Sequence, residues 1–257
     1  MQEARVQSVM RALSILDVFL KEKKPLSIAE LHRILDLPKP TVFRLVRELE
    51  TFDFLKRTSN DANKYWIGSK ILQLSFIYNE QFELYPRAMP YLRRIRDETK
   101  ETVHLNVMEK DERVCVYCLQ GTEEIRYMVN VGHRSPLHMG PSAKLMLASM
   151  DDEFINRYIA EHKPLETLHG PLDPECLWSQ IKKIREQGYS VTMGERNKNA
   201  LGIAAPVRDA SGKVIAAISL TLPIIRKDQV PLDKYIETVV KESLDLSVQL
   251  GYVREKG

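Results

Sequence analysis

The 257-residue sequence holds only three cysteines, no long apolar run and a net charge of just +3. Three cysteines in a chain of this length make no disulfide framework. A membrane-spanning helix needs ~18–20 consecutive apolar residues. The nearest approach, residues 214–225, is short and carries Ser219, Thr221 and Pro223. The first residues, MQEARVQSVMRAL, lack the apolar core of a secretory signal, so the expected location is cytoplasmic, without a membrane partner. No Gly-rich phosphate loop, HExxH or GxSxG pattern occurs, so the chain is not expected to be an enzyme or to need a cofactor. Cys115 and Cys118 have Cys-x-x-Cys spacing, but Cys176 stands alone and a zinc ribbon needs a second pair. Residues three apart on a strand are expected to face opposite sides of a sheet. His133 and His138 have no carboxylate at matched spacing, and no metal site is expected there.

The charge that is present is unevenly placed. Residues 1–67 carry 12 Lys/Arg against 9 Asp/Glu, whereas the other 190 residues carry 26 of each. The cationic excess lies in the first quarter, which suits an anionic partner for that part. Apolar residues at Val6, Val9, Leu13, Leu16 and Leu20 have the spacing of one helix face. KEKKPL ends that helix, and Ser27 with Glu30 makes a capping box for a second helix containing Ile28, Leu31, Ile34 and Leu35. Pro38 and Pro40 force a stop near Asp36 and a restart, because proline disfavours helical geometry in the residue before it but is tolerated in a first turn.

The third helix then has an apolar stripe of Val42, Leu45, Val46 and Leu49, with Arg44 and Arg47 pointing away and Thr41 and Phe43 on the flanks. Two short helices joined by a tight turn form a helix-turn-helix. Short strands at residues 55–57 and 64–67, with a turn-rich loop between them, add a wing. DNA contacts are accordingly assigned to Lys39, Thr41, Phe43, Arg44 and Arg47 on the third helix, with Ser27, Lys56, Arg57 and Lys64 on the phosphate backbone.

Beyond a connecting helix at residues 69–84, strands are expected at 103–108, 114–119, 125–131, 189–193, 203–208 and 214–222, and helices at 143–149, 152–161, 174–187 and from 232 onward. Runs of strands and runs of helices indicate an α+β class. Gly140 and Pro141 stand directly before a helix, where free backbone N–H groups favour an anion such as a carboxylate.

In this order and spacing, SVMRALSILDVFL, LSIAELHRILDLPKPTVFRLVRELETFDFLKR, GHRSPLHMGPSAKLMLA, REQGYSVTMGE and GIAAPVRDASGKVIAAISLTLP resemble the IclR family of bacterial transcription regulators over nearly the whole chain. TKETVHL and the terminal QLGY resemble its 2-keto-3-deoxygluconate-regulator branch. The resemblance implies a winged helix-turn-helix at 1–67, a linker helix at 68–85 and, at 86–252, a GAF/profilin-like effector domain with a curved antiparallel sheet. It implies a dimer or tetramer that binds a palindromic operator, with a small organic acid as effector. Carried over by position, the effector pocket comprises His138, Met139, Gly140, Pro141, Ser142, Thr192, Gly202, Ser219 and Thr221. Many members have an acidic residue where Thr192 stands and a cysteine where Gly202 stands. Those departures imply more space, for a bulkier or more anionic ligand. The competing readings are a sensing module, or an enzyme, carrying a vestigial winged helix.

Overall fold

The computed structural model describes residues 6–81 and 84–253, and the chain divides into two compact units, Met1–Glu83 and Leu84–Gly257. In the first unit, helix α1 (Gln7–Glu22) is followed by strand β1 (Leu26–Ser27), α2 (Ile28–Leu35), α3 (Lys39–Thr51), the hairpin β2 (Leu55–Arg57) and β3 (Lys64–Ile67), and α4 (Lys70–Gln81). Ser27 caps α2 with the complete reciprocal box: its hydroxyl accepts from the Glu30 N–H, and its own N–H donates to the Glu30 carboxylate at 2.8 Å. Asp36 adopts left-handed geometry (φ 51°), which closes α2, and Pro40 lies in the first turn of α3. The wing gains a third strand that the sequence does not announce: Leu26 pairs with Tyr65, giving the order β1-β3-β2.

Ile15, Val18, Phe19, Leu26, Leu31, Val42, Val46, Leu55 and Tyr65 form the core of this unit. Of the α1 stripe read from the sequence, only Leu16 packs against this core. Val6, Val9, Leu13 and Leu20 are all more than half exposed, while Ile15, Val18 and Phe19 face inward. The helix thus carries two apolar faces, only one of which the unit covers. On α4, Leu72, Leu74 and Ile77 are also exposed. Of the expected linker face, Ile71 is half-buried and Ser75 exposed; the side chain of Phe76 and all of residues 82 and 83 lie outside the described residues.

The second unit opens with α5 (Leu84–Thr99), which takes residues 84 and 85 from the expected linker and continues through Pro90, its buried Ala88, Leu92 and Ile95 packing into the core. Strands β4 (Thr102–Glu109), β5 (Glu112–Leu119), β6 (Arg134–Pro136), β9 (Ser190–Met193), β10 (Ala200–Arg208) and β11 (Val214–Pro223) form one antiparallel sheet, ordered β6-β5-β4-β11-β10-β9. Between them come α6 (Pro141–Ala148), α7 (Asp152–Glu161), the small ribbon of β7 (Leu165–Thr167) and β8 (Gly170–Leu172), and α8 (Pro174–Gln187); α9 (Leu232–Gln249) closes the unit. Val103, Leu105, Ile203, Ile218 and Leu220 pack on one face of the sheet with α5 and α9. Ala204 and Ala217 face the other way, into a core shared with α6, α7 and α8.

Two expectations are corrected. Residues 125–131 are not a strand. Ile125, Met128 and Val131 are about 60% exposed, and the segment is held through carbonyls that accept from side chains: Arg226 to Ile125 at 2.6 Å, Thr102 to Tyr127 at 2.6 Å and Gln120 to Val129 at 3.0 Å. Alternation alone did not supply a neighbouring strand edge. Nor do Cys115 and Cys118 face opposite sides. A register shift between Leu105 and Asn106 pairs Asn106 with Cys115 and His104 with Cys118, so the extra residue brings both thiols to one face.

Gly68 ends β3 where the chain doubles back on Asp53. Its N–H donates to the Phe54 carbonyl at 2.8 Å, and a Cβ there would lie 2.1 Å from the Asp53 carbonyl oxygen. Backbone cannot yield as a side-chain tip can. Gly68→Ala is expected to destabilise the protein by more than ~2 kcal/mol, seen as an earlier first transition in urea unfolding followed by circular dichroism.

Candidate functional site

On the first unit, α3 buries Val42 and Val46 and leaves Lys39, Phe43, Arg44 and Arg47 exposed, with Thr41 half-buried beside them. The N-cap is Pro38, which offers no side-chain acceptor, and the first turn has no acidic residue. The positive end of the helix dipole and Lys39 therefore face solvent without internal compensation. Lys56 is exposed and Lys64 half-buried on the wing. Two assigned residues are spent internally. The Ser27 hydroxyl donates to Glu30 at 2.7 Å as part of the cap. Arg57 binds Glu50 of α3 at 3.1 Å and the Ala62 carbonyl at 3.0 Å, and its guanidinium covers the Tyr65 ring. Arg57 thus ties the wing to α3.

On the second unit, the assigned pocket residues are only partly brought together. Gly140, Pro141, Thr192, Gly202 and Thr221 line one cavity of about 30 Å³, with Tyr127, Val129, Glu195, Arg196 and Ala200. Ser219 is fully buried behind it, its hydroxyl accepting from the Asn106 amide at 3.2 Å. Met139 and Ser142 are not among the lining residues. His138 is a correction: its ring nitrogens bond the Tyr158 hydroxyl at 2.8 Å and the Glu166 carbonyl at 3.0 Å, which satisfies it within the second core.

The extra room expected at Gly202 is also absent, because Pro141 leans into it and a Cβ on Gly202 would lie 2.7 Å from Pro141 Cγ. The carboxylate missing at Thr192 reappears three residues later. Glu195 accepts the Gly140 N–H at 2.9 Å and pairs with buried Lys144 at 2.5 Å, and Lys144 also donates to Gln180 at 2.6 Å. Thr192 and Glu195 border a second, larger groove of about 460 Å³ beside α8 and β9, lined also by Lys144, Lys183 and Tyr189.

Behind the small cavity lies a polar network that the sequence reading did not identify. Thr221 bonds His104 Nε2 at 3.0 Å, and Asn106 Oδ1 contacts His104 Nδ1 at 3.1 Å and accepts from Arg113 at 3.1 Å. Arg113 also donates to Ser135 at 3.0 Å. Every member is buried. Burial and the neighbouring Arg113 charge push the His104 pKa down to about 3, so the ring is neutral at physiological pH. Arg113 is itself pushed down to about 9, by burial and then by Arg196. His104 and Asn106, alternating with apolar residues inside the strand expected at 103–108, were the available signal; Arg113, in the surface-like run DER, offered none.

A model of the IclR helix-turn-helix domain matches residues 8–59, and one of the bacterial transcriptional regulator IclR C-terminal region matches residues 77–248. The chain belongs to the IclR family. It is a DNA-binding transcriptional regulator of a family whose members respond to ligands. Among its relatives, the Pca regulon regulatory protein of Pseudomonas putida is 30% identical, over 95% of this chain and 84% of its own. The KdgR regulator of Escherichia coli is 27% identical over 98% and 95%, and the AllR repressor of Salmonella typhi 27% over 95% and 90%. The solved Thermotoga maritima IclR superimposes with a TM-score of 0.80 at 23% identity, covering 96% of this chain and 100% of its own. An IclR homologue from Microbacterium hydrocarbonoxydans, solved in complex with 4-hydroxybenzoate, gives 0.81 at 24%, covering 95% and 99%.

The neutral His104 has a pH consequence. A depressed folded-state pKa means that the unfolded chain binds the extra proton first. The stabilising contribution is complete above the ordinary histidine pKa near 6.5 and is lost as pH falls from there toward 3. His104→Gln, which keeps a donor and an acceptor, is expected to make the urea midpoint less sensitive to pH between 7 and 4.5.

Proposed function

We propose that this regulator is a repressor that holds a near-palindromic operator through α3 and the wing, as a dimer or tetramer, and senses a small organic acid in the second unit. The carrying observation is the exposed, uncapped and cation-flanked start of α3 beside a braced hairpin. A helix offered in this way suits a major groove, and one such helix reads only a few base pairs. Thr41, Phe43 and Arg44 approach bases, Lys39 and Arg47 the flanking phosphates, and Lys56 and Lys64 the backbone beside the groove. Ser27 contributes through the α2 cap and Arg57 by orienting the wing. Repression is the sense in which the AllR relatives are named.

Pairing of two copies is supported by the apolar stripe that α1 leaves uncovered, Val9 and Leu13 among it, and by Leu72 and Ile77 on α4. Relatives that are regulators favour sensing over turnover. By thermodynamic reciprocity, an acid that weakens operator binding must itself bind more weakly when operator is present, by the same factor.

Arg44→Ala is expected to weaken operator binding by about 1–3 kcal/mol and to relax sequence preference at the base it contacts, whereas Lys56→Ala weakens all duplexes alike and lowers the salt slope by about one. Fluorescence anisotropy at several salt concentrations separates the two; unchanged preference in the arginine variant would sink the assigned face. Leu13→Asp is expected to shift the sedimenting species toward monomer and to lose operator affinity while the helical signal persists.

A further inference from the structure

Arg113 is fully buried, and one of its terminal nitrogens, Nη2, has no hydrogen-bond partner. Among the described residues no carboxylate pairs with it: its partners are the neutral Ser135 and Asn106. Arg196 feels the same surroundings from the cavity side. Among the described residues its guanidinium bonds only His133 Nδ1, at 3.1 Å, and burial lowers its pKa. Arg113 and Arg196 depress each other's neighbours and, in Arg196's case, Arg113 itself, which places both charges in one field. Glu195, the acid on the cavity lining, is already paired with Lys144. Buried guanidinium groups ordinarily take carboxylates in paired geometry, and leaving them without one is costly.

We infer that the polar face behind Gly140 and Thr221 is built for a small dicarboxylic acid, whose two carboxylates supply the counter-charges that Arg113 and Arg196 lack. This rests on the reading of the second unit as an acid sensor and names the class of acid. The helix start at Gly140, which would otherwise attract a single carboxylate, is occupied by Glu195, so the ligand charge is directed to the two arginines instead. Room comes from Arg196. The present cavity of about 30 Å³ holds little more than one water, and the arginine stem lies against the bare Gly140 Cα, where a Cβ would sit 2.6 Å from its Cδ. Held at its tip by the His133 contact, the side chain would swing outward to admit the ligand and close on it, while Arg113, behind the cavity lining, would face the ligand across Thr221, His104 and Asn106. A monoacid satisfies one guanidinium and leaves the other bare; a diacid satisfies both.

The test uses the full-length protein in isothermal titration and thermal shift, with succinate, glutarate and 2-oxoglutarate set against butyrate and 2-oxobutyrate, and operator binding measured in parallel. At least a tenfold preference for one or more diacids is expected. Arg196→Gln should reduce that preference to less than threefold while retaining operator binding. Arg113→Met removes an uncompensated buried charge, so the ligand-free melting temperature should hold or rise while stabilisation by diacid disappears. A purely structural arginine gives the opposite pattern, a lower melting temperature with diacid binding retained, and overturns the inference. Equal or tighter binding of the monoacids overturns it as well, and leaves the acid-sensor reading intact. Operator binding with no response to any of these acids removes both the diacid class and acid sensing, but not DNA recognition.

Discussion

The pairing of β4 with β11 sets His104 opposite Ser219 and Asn106 opposite Ala217, and this register decides which side chains share a face of the sheet. A slip of one residue would carry Val103 and Leu105 to the polar side and the histidine and asparagine into the hydrocarbon beneath α5 and α9. The sheet tolerates a hydrophilic centre because each member is satisfied by another: Thr221 by His104, His104 by Asn106, Asn106 by Arg113 and Ser219. Low dielectric surroundings strengthen such a chain and make its one open donor, on Arg113, correspondingly expensive. Stability in this unit and the proposed ligand chemistry would therefore share one set of atoms.

The first unit solves a different problem with similar economy. Two prolines and a left-handed Asp36 fix a short turn, so α3 leaves the body with its cationic side outward and Val42 and Val46 inward. The wing could move independently of that helix, but the Arg57 link to Glu50 and the pairing of β1 with β3 fasten it. A charge that looks destined for phosphate is used to aim its neighbours.

Local signals carried most of the architecture. The capping box at Ser27, the proline break, the strands at β2 and β3, and the extents of α7 and α8 are written in short-range chemistry, and they fall at the same residues in the structure. What escaped depends on partners far along the chain. Residues 125–131 alternate as a strand does, yet no strand edge was free for them. Cys115 and Cys118 share a face only because of a bulge set by β4. Two apolar stripes on α1 are equally visible in the sequence, and only packing shows which one the unit buries. Gly140, Pro141, Thr192, Gly202 and Thr221, grouped by resemblance, do line one cavity, whereas Glu195 on that lining and Arg113 behind it were not legible, since their meaning lies in contacts with residues 7 to 55 positions away.

The irregular segment over the polar face is fastened by side chains gripping its carbonyls rather than by a ladder of backbone pairs. Such a strap can unbutton one clasp at a time while the sheet below remains whole. Tyr127 and Val129 of that segment line the small cavity, so releasing their clasps would widen it without breaking a backbone pair of the sheet.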